Sequence, residues 1–105
     1  MNAEEMLHSA TKTVVGPRAE DYGDKYTNHT RIAKLWTMWL NERTRTWATE
    51  DNDEPADVEI TAYDAAMMML LVKVARLMHS PGHQDSHIDI AGYASILEEI
   101  ANGEY

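Results

Sequence analysis

A chain of 105 residues is long enough for one domain and too short for two, and its apolar fraction of 44% is ordinary for a globular protein. With no cysteine, disulfides, thiolate zinc sites and a cysteine nucleophile are excluded. A formal net charge of −9 repels phosphate backbones, which argues against duplex nucleic acid as the main partner.

Residues 3–14 read as a first helix. Asn2 is placed to cap it, Glu4 and Glu5 suit its positive end, and Met6, Leu7, Ala10 and Val14 form one stripe. Gly16-Pro17 is the expected stop, and residues 18–25 read as a polar loop turning at Gly23. A second helix is predicted over about 28–47, with Ile32, Leu35, Trp36, Trp39 and Leu40 at i, i+3, i+4, i+7, i+8 spacing. Arg31, Lys34, Arg43 and Arg45 mark its other side. Residues 50–60 form an acidic, flexible loop inside a single helical domain spanning 1–105.

A third helix starts at Thr61, which forms a capping box with Asp64. Every residue from Ala65 to Val72 is apolar, the pattern of a central, buried helix. Lys73 and Arg76 interrupt it before Leu77 and Met78. Pro81-Gly82 makes the turn. A fourth helix, beginning near Asp85 or Ser86, runs to about Ala101, with Ile90, Ala94, Leu97 and Ile100 on one face and Asn102-Gly103 at its end. No segment is apolar enough to span a membrane, and the N-terminus lacks a signal-peptide pattern, so a cytoplasmic location is expected.

The short turn sets the last two helices antiparallel. With its centre between Gly82 and His83, Arg76 falls opposite Asp89 and Lys73 opposite Gly92. Asp85 and Asp89 share another face. Two cations and two carboxylates thus converge. The plainer reading is an ion pair, Arg76 with Asp89, holding the hairpin, with Ser86, Asp89 and Asp85 capping the fourth helix. Gly92 costs about 1 kcal/mol against Ala inside a helix, so a neighbouring helix or a ligand must approach closely there. His79, His83 and His87 are a weak zinc pattern and read better as solvated histidines. Met67, Met68 and Met69 read as core filler. There is no phosphate-binding glycine loop and no nucleophile elbow.

Four segments stand in order: Arg18-Ala19-Glu20-Asp21-Tyr22-Gly23-Asp24; Asn28 with Arg31-Ile32-Ala33-Lys34-Leu35-Trp36; Lys73-Val74-Ala75-Arg76-Leu77; and Asp85-Ser86-His87-Ile88-Asp89-Ile90-Ala91-Gly92-Tyr93-Ala94. Over roughly residues 3–100 they resemble a family of small bacteriophage and prophage proteins of unassigned function, linked to nucleotide-modification-associated domains. That group is in turn similar to the all-helical MazG-like nucleoside triphosphate pyrophosphohydrolases, whose Glu-x-x-Asp motif ends like Asp89-Ile90-Ala91-Gly92-Tyr93. Ser86 stands where that motif has its Glu, and Lys73 and Arg76 stand where a first carboxylate pair is expected.

The resemblance implies an all-α, four-helix, MazG-like bundle that binds a nucleotide and assembles as a homo-oligomer. Asp85 and Asp89 would hold magnesium and act in catalysis, with Asp21 or Asp64 as outer carboxylates. Lys73 and Arg76 would neutralise phosphate, and Tyr22 and Tyr93 would stack on the base. Magnesium-dependent pyrophosphohydrolysis is the catalytic form of this reading. Its rivals are a non-enzymatic acidic phage protein that binds and inhibits a host protein, and a nucleotide sponge.

Overall fold

The computed structural model describes residues 1–15, 25–47 and 58–104 of the chain. Among these residues there are four helices and no strand: α1 (Ala3–Val15), α2 (Lys25–Trp47), α3 (Ala62–His79) and α4 (Gln84–Ala101). The expected Gly16-Pro17 stop, the turn at Gly23 and the acidic residues before Val58 lie outside the described residues. Lys25, expected in a loop, opens α2 one turn earlier than the apolar periodicity suggested. That turn is polar. His29 Nδ1 donates to the Lys25 carbonyl at 2.8 Å, and Thr30 Oγ1 donates to the Tyr26 carbonyl at 2.8 Å.

Local capping chemistry marks the helix ends. At α1 the Glu5 amide donates to Asn2 Oδ1 at 2.8 Å. At α3 the predicted box is complete: the Asp64 amide donates to Thr61 Oγ1 at 3.2 Å, and the Thr61 amide and hydroxyl donate back to Asp64 Oδ2 at 3.0 and 2.9 Å. At the end of α4, Gly103 takes the left-handed conformation, φ 69°. Its amide bonds the Ile100 carbonyl and the Glu104 amide bonds the Glu99 carbonyl, which is the Schellman pattern.

The start of α4 differs from expectation. The capping residue is His83, not Asp85 or Ser86. The Ser86 amide donates to His83 Nδ1 at 3.3 Å, and Ser86 Oγ lies 2.7 Å from the same nitrogen. An acceptor role for Nδ1 puts the ring proton on Nε2. Asp85 sits in the exposed first turn, where its charge complements the helix dipole.

Helix α3 is central in contacts, packing on α2 on one side and α4 on the other, while α1 lies against α4. The core centres on Ala66, Ile96 and Leu97, ringed by Val14, Met67, Leu70, Tyr93 and Ile100. It is a core of small residues. Among the described residues, five of the eight buried apolar side chains are alanines (Ala10, Ala33, Ala62, Ala65, Ala66), and the largest side chain fully out of solvent is Ser86.

The apolar run in α3 is therefore not buried all round, contrary to the reading of residues 65–72. Ala62, Ala65 and Ala66 face inward, while Leu71 and Val72 stay 54% and 53% exposed. Helix α2 shows the same division. Its inner line is His29, Ala33, Thr37 and Asn41, at four-residue spacing. The stronger apolar stripe lies about a third of a turn away, and Trp39 on it is 62% exposed.

Gly92 is buried, and what approaches it is a helix. A Cβ built there would come within 3.2 Å of Val14 Cγ2 in α1. The two-fold expectation of helix or ligand resolves to the helix.

Candidate functional site

The charged cluster of the α3–α4 hairpin has a different pairing from the one expected. Asp89 Oδ2 meets Lys73 Nζ at 3.2 Å, and Arg76 is exposed. The hairpin explains the change. The Ser80–His83 turn is closed by the His83 amide on the Ser80 carbonyl at 3.0 Å, with Pro81 in its second position. Lys73 and Asp89 each lie eight residues from Pro81, so the centre falls earlier than the point between Gly82 and His83. Lys73 also lies two turns beyond Ala66, on the inward line of α3, whereas Arg76 is rotated towards the rim.

The pair is half-buried, with side chains 19% and 30% exposed. Partial desolvation makes the attraction stronger than at a free surface, and neither charge is sealed from a ligand. Asp85, one turn before Asp89, is exposed. Tyr93, one turn after it, packs against the core cluster and meets the His29 ring edge-on, with centroids 6.1 Å apart. The structure thus brings Lys73, Asp89 and Tyr93 onto one seam and leaves Arg76 and Asp85 on its rim. Asp64 is occupied by the α3 capping box. Asp21 and Tyr22 lie outside the described residues.

His29 is a polar group that the sequence reading passed over. It is buried, with its Nδ1–H donated to the Lys25 carbonyl. The available signal was its four-residue spacing from Ala33 and Thr37, a line of small and polar residues beside the apolar stripe. Lys25 approaches Glu99 at 4.0 Å, a second contact between the start of α2 and α4.

Among the described residues no three His, Asp or Glu side chains are grouped to hold a metal ion, so the weak zinc pattern of His79, His83 and His87 gains no support. An open depression between the N-terminal end of α1 and the α3–α4 turn is lined by Met1, Met6, Gly82, Gln84, His87 and Ile90, among others. It does not include the Lys73–Asp89 seam.

Residues 5–101 match a family described as a domain of unknown function, DUF6378. The chain belongs to the DUF6378 family. It is 41% identical over 95 residues to the Gene 55 protein of Mycobacterium phage L5, covering 90% of this chain and 51% of that protein. It is 32% identical over 98 residues to the Gene 55 protein of Mycobacterium phage D29, covering 93% of this chain and 54% of the relative. The chain therefore spans about half the length of the curated relatives it matches. No solved structure matches it. The expected membership of a phage family without an assigned function is what these likenesses show for this DUF6378 chain. No helix among its described residues is long and apolar enough to cross a membrane.

Proposed function

We propose that this DUF6378 protein is a phage-type, MazG-like helical module that binds a nucleotide, or another phosphate ligand derived from one, in the host cytoplasm and as a homo-oligomer. The observation that carries the reading is the half-buried Lys73–Asp89 pair in the α3–α4 seam. A structural ion pair alone is as well served at the surface, where it costs less desolvation. Lys73 placed there can exchange part of its carboxylate contact for a phosphate, and the rim Arg76 can add a bidentate contact. Tyr93, already packed on its inner side, offers limited ring surface to a base.

Magnesium fits this donor set only as a shared ion. Mg²⁺ commonly takes one or two carboxylates and completes its shell with water and phosphate oxygens. Asp85 and Asp89 would hold it, and the ion would neutralise phosphate charge. Lys73 already satisfies Asp89 and repels a second cation there. This favours binding over pyrophosphate hydrolysis, and a nucleotide sponge is the form of the proposal that the residues support best. The host-protein reading drew partly on acidic residues outside the described segments.

The test combines thermal shift with pyrophosphate release. The protein is screened against nucleoside mono-, di- and triphosphates with and without magnesium, alongside Lys73→Met, Arg76→Ala and Asp89→Asn. Stabilisation by a nucleotide that is lost in Lys73→Met, without turnover, is the expected result. Turnover abolished by Asp89→Asn would move the protein to the enzymes. No response to any nucleotide would overturn the reading and leave a protein partner.

A further inference from the structure

Among the described residues, many large apolar side chains stay outside the core. On α3, Met68, Leu71, Val72, Ala75 and Met78 recur at i, i+3, i+4, i+7, i+10 and all are exposed. That is the spacing of a helix face built to meet another helix. On α2, packed alongside, Leu35, Met38 and Trp39 are exposed as well. Neither set faces the alanine-rich interior.

Apolar patches larger than a few hundred Å² are rarely left open on monomers.

We infer that the α3 face Met68–Leu71–Val72–Ala75 is a two-fold interface that a second copy of this chain covers. Three features select a second copy over another partner. The first is permanence: among the described residues the buried apolar set is mostly alanine, and only the chain itself is always present at matching concentration. The second is charge. The α3 face carries none between Asp64 in the first turn and Arg76 and His79 in the last. An antiparallel two-fold pairing sets the acidic end of each α3 against the basic end of its partner. The third is shape. With the axis between Leu71 and Val72, each Leu71 meets the second copy's Val72, and the large Met68 meets the small Ala75. The inference rests on the homo-oligomer part of the proposed function and is independent of its nucleotide part, because the face lies on the side of α3 away from the line that carries Lys73.

The experiment measures mass by size-exclusion chromatography with light scattering. The full chain should elute at about 24 kDa, twice its 11.9 kDa. Leu71→Glu and Val72→Lys should each be monomeric, and mixing them should restore a dimer of one copy of each. A monomeric wild type, or a dimer that survives Leu71→Glu unchanged, overturns the proposal. Should both charged variants fail to fold even when mixed, crosslinking decides. The chain has no cysteine, so Met68→Cys and Ala75→Cys proteins mixed and oxidised should form a disulfide-linked pair. Absence of that pair overturns the assignment as surely as a monomer would.

Discussion

At the scale of single residues, the Lys73–Asp89 contact is the feature whose energy most needs measuring. Exposed pairs contribute 0 to about 1 kcal/mol, while breaking a fully buried one costs about 3–5 kcal/mol. With side chains 19% and 30% exposed, this pair belongs near the lower range. Urea denaturation of Lys73→Met, Asp89→Asn and the double variant should show single losses of about 1 kcal/mol and a coupling of about 0.5–1 kcal/mol. A coupling near zero would mean that the two charges meet without stabilising the hairpin. Arg76→Ala should leave stability within about 0.5 kcal/mol, since its exposed side chain is not the partner of Asp89.

At the scale of elements, two contacts tie pieces of the chain together. The segment before α3 is held to α2 by side chains standing in for a backbone partner. The Val58 amide donates to Asn41 Oδ1 at 2.8 Å, Asn41 Nδ2 donates to the Val58 carbonyl at 3.0 Å, and the Ile60 amide donates to Thr37 Oγ1 at 2.9 Å. Asn41→Ala removes two of these bonds, for a loss of about 1–2 kcal/mol. Hydrogen exchange at the Val58 amide should accelerate, while the amides in the middle of α3 keep their protection. The second contact joins α1 to α4 at Gly92. Gly92→Ala gains about 1 kcal/mol of helix propensity, and the new methyl meets Val14 Cγ2 at 3.2 Å. Val14 is β-branched and stiff, so the crowding offsets the gain. In a Val14→Ala background the same change should stabilise by about 1 kcal/mol. Equal effects in both backgrounds would show that Val14 yields freely and that packing against α1 does not require the glycine.

At the scale of the whole molecule, a second copy laid along α3 would cover apolar side chains that the interior leaves outside. Association that stabilises the fold makes unfolding concentration-dependent, so Tm should rise by several degrees over a hundredfold increase in protein concentration. A Tm independent of concentration would mean that the subunit is stable alone. How much of this could be read beforehand follows a physical division. The starts of α1 and α3 and the Asn102-Gly103 stop are short-range chemistry: a side chain bonding an amide three residues away, or a glycine adopting positive φ. The sequence by itself determined these, along with the all-helical class and the presence of Lys73, Arg76, Asp85 and Asp89 on one hairpin, though not their pairing. Periodicity also located the apolar stripe of α2. What periodicity does not carry is which of two faces a neighbour will cover. The interior of this chain took the small line, with Ala33, Ala62 and Ala66, because alanines let helices approach closely. That choice left Trp39 and Leu71 outside. Nor can local rules set a hairpin's register, because shifting its centre towards Pro81 replaces Arg76 by Lys73 as the partner of Asp89. Tertiary structure decided both, since each depends on the distance between helix axes and on where the turn closes.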